Sequence, residues 1–92
     1  MSDKIMTLHP EGKSGTNIDR QKYDLVRVAI LDAIHEFGDI AFKDLENAVT
    51  QRLPDTFNGS IGWYTTTVKL DLEARGLIER LPERGPQRLR IT

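Results

Sequence analysis

The most constraining feature of this sequence is a change of hydrophobic period at Gly76. Before the glycine, residues 60–75 place apolar side chains at helical spacing, and Ser60 is a residue type that commonly caps a helix start. After it, Leu77–Leu81 and Arg88–Ile91 are rich in residues suited to strands, and a turn containing two prolines and a glycine separates them. The sequence therefore predicts a helix that runs directly into a C-terminal β-hairpin.

An earlier helix is predicted from about Asp19 to Glu36. Its apolar residues recur at spacings of three and four and form one stripe: Tyr23, Val26, Ile30, Ala33, Ile34 and Phe37. Asn17 or Asp19 is expected to cap its start, because a short side-chain oxygen can accept from the free N–H groups of the first turn. Gly38 is expected to end it, since glycine adopts the left-handed conformation at little cost.

A second helix is predicted over Lys43–Leu53, and Pro54 follows it where prolines commonly stand after a helix end. The dipeptide Ile40-Ala41 lies between the first two helices and is long enough only for a short strand. The complete order is helix, short strand, helix, helix and hairpin. This order predicts an α+β fold that is mostly α.

The first 17 residues contain proline, glycine, serine and asparagine with no sustained apolar period. We interpret residues 1–17 as a flexible N-terminal arm and residues 18–92 as a single domain. The arm is expected to be ordered only where Ile5, Met6 and Leu8 meet an apolar surface.

Composition argues against several function classes. The chain has no cysteine, which removes disulfide frameworks, thiolate nucleophiles and cysteine-ligated zinc. Its two histidines are isolated and no spaced carboxylate cluster accompanies them, so we expect no catalytic site, no metal and no cofactor. The longest apolar run, residues 28–31, is too short to span a membrane, and no apolar leader is present. The expected location is cytoplasmic.

Charge is distributed unevenly behind a formal net charge of −1. Residues 1–22 carry four basic and three acidic groups (+1), residues 23–76 carry five and nine (−4), and residues 77–92 carry four and two (+2). A nucleic-acid-binding domain is usually strongly basic. Here only the two ends are basic, and the predicted third helix is neutral.

The stretch Leu70–Arg80 resembles the passage from recognition helix to wing in winged helix-turn-helix regulators of the MarR, PadR and ArsR kinds. In those proteins a leucine-bearing helix ends at a glycine and an apolar pair opens the first wing strand. The resemblance covers about residues 20–92 and implies three helices, a two-stranded wing, and DNA binding in bacterial transcriptional regulation. Residues 62–64, with Val68 and the segment 70–76, are also similar to a family of small bacterial proteins that has no assigned function.

If this resemblance holds, the third helix enters the major groove of duplex DNA. Ser60 and the N–H groups at the helix start are candidates for a phosphate contact, and Thr65, Thr66 and Lys69 are candidates for contacts to bases or backbone. The alternative is that these side chains form a solvated helix face. The first two turns contain no arginine or asparagine, the residues that make strong bidentate base contacts.

The wing carries three candidate phosphate ligands: Arg84, Arg88 and Arg90. Arg88 and Arg90 are two residues apart and therefore share one face of a strand. The alternative is that the arginines pair with Glu79 and Glu83 across the hairpin.

A second apolar stripe on the third helix contains Trp63, Leu70 and Ala74. Such residues need cover, either from the N-terminal arm or from a protein partner, including a second copy of the chain. A helix covered on this face cannot also lie deep in a major groove. The expected function is DNA binding in bacterial transcriptional regulation. The alternative is a winged-helix module that binds protein without sequence-specific binding to DNA.

Overall fold

A computed structural model describes residues 3–13, 15–82 and 87–92, which contain helices and short strands. About half of the chain is helical, and the described strands form two antiparallel sheets. The elements in chain order are β1 (Lys4–Met6), β2 (Asn17–Asp19), α1 (Arg20–Phe37), β3 (Asp39–Ala41), α2 (Phe42–Arg52), α3 (Ile61–Ala74), β4 (Ile78–Arg80) and β5 (Arg88–Ile91).

The ends of α1 are the ones that the sequence predicts. The Asp19 carboxylate accepts a hydrogen bond from the Lys22 N–H at 3.1 Å, which satisfies a free donor of the first turn. Gly38 has a φ of 80° and donates its N–H to the Ile34 carbonyl at 2.8 Å. A residue with a side chain would be strained in that left-handed conformation, so glycine is the natural terminator here.

The other two helices lie close to their predicted positions. Helix α2 begins at Phe42 and ends at Arg52, within one residue of the expected bounds. At the start of α3, the Ser60 hydroxyl accepts from the Trp63 N–H at 3.2 Å, so the predicted cap is confirmed.

The C-terminal hairpin and the short strand near Ile40 belong to one sheet. The strand order is β3-β5-β4, with Ile40 opposite Leu89 and Ile78 opposite Ile91. The short strand is therefore confirmed and lies on the far side of β5 from β4. Residues 83–86 of the predicted turn lie outside the described residues.

One core joins all three helices to this sheet. Each helix contributes fully buried aliphatic side chains, and β4 and β5 add one buried residue each. The largest buried apolar members are Val26, Ile30, Ile34, Leu45, Val49, Val68, Leu72, Ile78 and Leu89. Tyr23 is buried beside them, in the stripe that the sequence predicts for α1.

The sequence analysis does not predict the sheet formed by β1 and β2. These two strands pair antiparallel, with Ile5 opposite Ile18. The buried Thr7 extends this pairing: its hydroxyl donates to the Thr16 carbonyl at 3.0 Å and accepts from the Thr16 N–H at 2.8 Å. Gly15 is required by this close approach, because a Cβ there would lie 1.6 Å from the Thr7 carbonyl oxygen. Strand β2 thus crosses the boundary proposed between arm and domain.

Candidate functional site

Helix α3 divides its predicted site residues between the interior and the surface. Thr65 is 1% exposed and Lys69 is 3% exposed, so neither lies on the polar outer flank that the sequence analysis predicts. Thr66 is exposed, as expected, and it lines a shallow recess with Lys43 and Asn47 of α2. The prediction for Thr65 and Lys69 was wrong because α3 is enclosed on a second side, where α2 packs against it.

Lys69 is held in that interior by specific contacts. Its ammonium lies 3.4 Å from a Glu73 carboxylate oxygen and 4.8 Å from the centre of the Phe42 ring. Arg80 donates to the same Glu73 oxygen at 3.0 Å. Burial lowers the pKa of Lys69, because the charged ammonium loses its water shell, while Glu73 acts in the opposite direction. The one lysine of α3 therefore serves the fold and is not available to a nucleic acid.

A second buried polar group on α3, Asp71, was not singled out as a site by the sequence analysis. Asp71 is fully buried and accepts hydrogen bonds from the Tyr23 hydroxyl, from the Leu8 N–H at 2.9 Å and from the Arg75 guanidinium at 2.9 Å. Burial first, and the hydrogen bond to Asp71 second, raise the pKa of Tyr23 to about 12. The only local signal for this cluster was the position of Asp71 between Leu70 and the core residue Leu72, in a stretch that also carries Lys69, Glu73 and Arg75.

The arginines of the C-terminal hairpin are engaged with carboxylates. Arg88 donates to Asp39 at 2.7 Å, and Arg90 donates to Glu79 at 2.5 Å across the β4–β5 pair. The second contact is the cross-strand pairing considered as the alternative to phosphate binding. Arg84 and Glu83 lie outside the described residues.

Ion pairing is general among the arginines. Six of the seven described arginines have a guanidinium nitrogen within 3.0 Å of a carboxylate oxygen. Arg52 contacts two carboxylates of α1, those of Asp32 and Glu36. Most of the described arginines are therefore already neutralised by a neighbouring carboxylate.

The outer face of α3 carries the second apolar stripe. Trp63 is 45% exposed and packs edge-to-face against Tyr64, with ring centres 5.0 Å apart. Leu70 and Ala74 are half-buried on the same side of the helix. The N-terminal segment reaches α3 next to this stripe, where the Leu8 N–H donates to Asp71, and Trp63 stays nearly half exposed beside it. Ile5 packs against the core, and Met6 and Leu8 are exposed.

The outer face of α1 is a further apolar surface, and sequence reasoning missed it. Leu25 and Val28 are 43% and 60% exposed, and the half-buried Leu31 and the 40% exposed Ile91 lie beside them. The available signal was the spacing of three between Leu25, Val28 and Leu31, which lies off the core stripe.

Residues 3–13, 15–82 and 87–92 contain neither a metal-binding cluster nor a membrane-spanning helix. No group of three or more histidine and carboxylate side chains is arranged to hold a metal ion. No helix in this part of the chain has the length and apolar character needed to cross a membrane.

Comparison with known proteins gives one match. A family model described as a family of unknown function (DUF6958) matches residues 4–89, which is nearly the whole chain and includes β1, every helix and most of the C-terminal hairpin. No curated protein and no solved structure matches the chain. Because the match extends over residues 4–89, the chain belongs to this family of unknown function, DUF6958.

Proposed function

We propose that this chain is a winged-helix domain that acts by binding another protein through the outer face of α3. The fold part of the proposal is supported by connectivity. Three helices precede a hairpin, and the short strand after α1 joins the outer side of β5, which produces the order β3-β5-β4. This order supports the helix-and-wing arrangement that the stretch from Leu70 to Arg80 resembles.

The observation that carries the functional part is the chemistry of the exposed side of α3. Trp63 on this side is nearly half exposed, whereas Lys69 of the same helix is buried and paired with Glu73. At 100° per residue, Trp63, Leu70 and Ala74 fall within about 40° of one another. A tryptophan flanked by aliphatic side chains is a typical anchor of a protein interface.

The border of this face also suits a protein partner. Thr66 and Thr67 lie beside the apolar stripe, and their hydroxyls can donate to or accept from a partner backbone. An apolar centre with a neutral polar rim matches the usual anatomy of protein interfaces. The phosphate backbone of DNA requires cations, and this face presents none between Ser60 and Ala74.

Duplex DNA remains the second candidate because of one specific observation. The Arg88 and Arg90 side chains are 41% and 55% exposed, and their carboxylate partners are exposed as well. Exposed ion pairs contribute little free energy, so phosphates can replace the carboxylates at low cost. In this alternative, Ser60 and Thr66 at the start of α3 make the groove contacts, together with the arginines of the wing.

Site-specific cross-linking tests the first candidate. A photo-cross-linking amino acid replaces Trp63 in one variant and Gln51, an exposed residue of α2, in a matched control. We expect a distinct cross-linked protein species at position 63 in the cells that produce the chain, and none at position 51. Equal cross-linking at both positions, or none at either, contradicts the proposal.

A salt series with labelled duplex DNA tests the second candidate. We expect anisotropy to show little binding at low salt and no steep dependence of affinity on salt concentration. Tight binding with a steep slope, lost when Arg88 and Arg90 are both replaced by alanine, would establish DNA as the partner instead. Replacement of Gln51 by alanine serves as the control for this variant.

A further inference from the structure

The outer face of α1 is apolar at its centre and lies away from the core. The four residues Leu25, Val28, Leu31 and Ile91 leave on the order of 300 Å² of side-chain surface exposed, which is the size at which a patch on a small protein usually has a role. Leu31 also packs against the core from its inner side, whereas Leu25, Val28 and Ile91 belong neither to the core nor to the α3 face. The patch is therefore a separate surface.

Its shape is a ridge between two grooves. Val28 borders both: one groove, of about 680 Å³, is lined by Leu25 and Ala29, and the other, of about 420 Å³, is lined by Leu31 and Ile91. Helices pack by placing the ridges of one in the grooves of the other. A surface with a central ridge and a groove on each side is complementary to a second copy of itself.

The charges around the patch also fit a second copy. Asp24 and Asp32 lie at its edge together with Arg27 and Arg52, so the border contains both signs. A strongly basic or strongly acidic partner would meet like charges on such a border. In a twofold contact, each residue of one copy meets a different residue of the other, and opposite signs can face each other.

An antiparallel arrangement follows from the helix itself. At 100° per residue, Asp24 and His35 lie within about 20° of each other on the same flank of Val28, near opposite ends of α1. With a twofold axis near the middle of α1, Asp24 of one copy lies opposite His35 of the other, and Val28 lies opposite Leu31. Antiparallel helices also bring opposite ends of their dipoles together.

We propose that the outer face of α1 is the contact surface between two copies of this chain, packed antiparallel about a twofold axis. Helix α1 has 18 residues and is therefore about 27 Å long, so the contact lies toward the small end of interface sizes. The dimer consequently depends on protein concentration. It leaves the outer face of α3 open in both copies and does not depend on the function proposed above.

Sedimentation equilibrium over a concentration series tests the proposal with three proteins. We expect the wild type to form a dimer, and Val28→Asp to weaken its association at least about tenfold, because two carboxylates would be buried at the contact. Trp63→Ala is expected to associate as the wild type does. Val28 is exposed, so a circular dichroism melt is expected to show that Val28→Asp remains folded.

Cysteine cross-linking then tests the orientation, since the chain has no cysteine of its own. A mixture of Asp24→Cys and His35→Cys proteins is expected to form mixed disulfide dimers faster than either protein alone forms dimers. A wild type that stays monomeric at about 1 mM overturns the proposal. So does a dimer that survives Val28→Asp and is lost in Trp63→Ala, which would place the contact on α3.

Discussion

Asp71 and Glu79 are both carboxylates paired with an arginine, but Asp71 lies in the interior and Glu79 lies at the surface. Each carboxylate accepts a hydrogen bond from an arginine, Asp71 from Arg75 at 2.9 Å and Glu79 from Arg90 at 2.5 Å. Asp71 is fully buried, whereas the Glu79 and Arg90 side chains are 41% and 55% exposed. The shorter distance would suggest that the surface pair stabilises the fold more. Because water surrounds that pair, we expect it to contribute less to the free energy of unfolding than the contacts of the buried Asp71.

The difference lies in what replaces water around each carboxylate. At the surface, a lost partner is exchanged for solvent, and the net contribution of such a pair is small. In the interior, Asp71 has donors from three parts of the chain, from the N-terminal segment, α1 and the end of α3. Removal of the carboxylate leaves those donors without an acceptor, and each unsatisfied buried donor carries a desolvation penalty.

The largest effect is therefore expected for Asp71→Ala. Loss of a hydrogen bond to a charged group costs about 1.5–3 kcal/mol. Asp71→Ala removes the acceptor of the buried Tyr23 hydroxyl together with that of the Leu8 N–H, whereas the Arg75 side chain is 36% exposed and can return to water, so the expected loss of unfolding free energy exceeds that of one such bond. Chemical denaturation followed by circular dichroism measures this loss, and Glu79→Ala is the matched control, with an expected change of about 0–1 kcal/mol. Equal losses in the two variants would show that burial does not separate the two carboxylates.

An intermediate effect is expected for Tyr23→Phe, which removes one donor and keeps the ring. Loss of a buried hydrogen bond to a charged group costs about 1.5–3 kcal/mol. The pKa of Tyr23 is raised to about 12 in the folded chain, so the folded state holds the phenol proton after the unfolded chain has released it. The stability associated with this proton is complete below about pH 10 and is lost as the pH rises toward 12.

A comparison of the two proteins from pH 9 to pH 12 tests this prediction. The unfolding free energy of the wild type should fall more steeply than that of Tyr23→Phe between about pH 10 and pH 12. In a spectrophotometric titration, the phenol that ionises near pH 12 should be missing from the variant. Parallel pH profiles would mean that Tyr23 and Asp71 are not coupled.

The smallest effect is expected for Arg90→Ala. The exposed pair with Glu79 contributes about 0.2–1 kcal/mol, and added salt reduces it further. A double-mutant cycle with Glu79→Ala isolates this pair from the other effects of each substitution. A coupling energy similar to that of a buried pair would remove the distinction between the two settings.

Local signals predicted much of the fold. The Asp19 and Ser60 caps, the terminating Gly38 and the period change at Gly76 depend on neighbouring residues only, and each lies where the sequence indicates. The β1–β2 sheet was missed because strands of three residues display no measurable period, and each residue pairs with a partner eleven to fifteen positions away.

The candidate site was less accessible to sequence reasoning, and for a physical reason. A helical wheel assumes one buried side, but α3 is covered by α1 on one side and by α2 on another, so Thr65 and Lys69 are buried. The i,i+4 spacing of Lys69 and Glu73 is visible in the sequence, but the contact between Lys69 and Phe42 of α2 is not. Contacts of this kind depend on the packing of separate elements.

The hydrogen bond from the Leu8 N–H to Asp71 also sets an order of events during synthesis. Its two partners are 63 residues apart, so the N-terminal segment leaves the ribosome long before its acceptor exists. A domain generally folds as a unit, so a contact between residues distant in sequence must wait for the later residue to be made. The β1–β2 hairpin therefore completes its attachment only after α3 has been made, and a nascent chain stalled before Asp71 would expose this segment to cellular proteases.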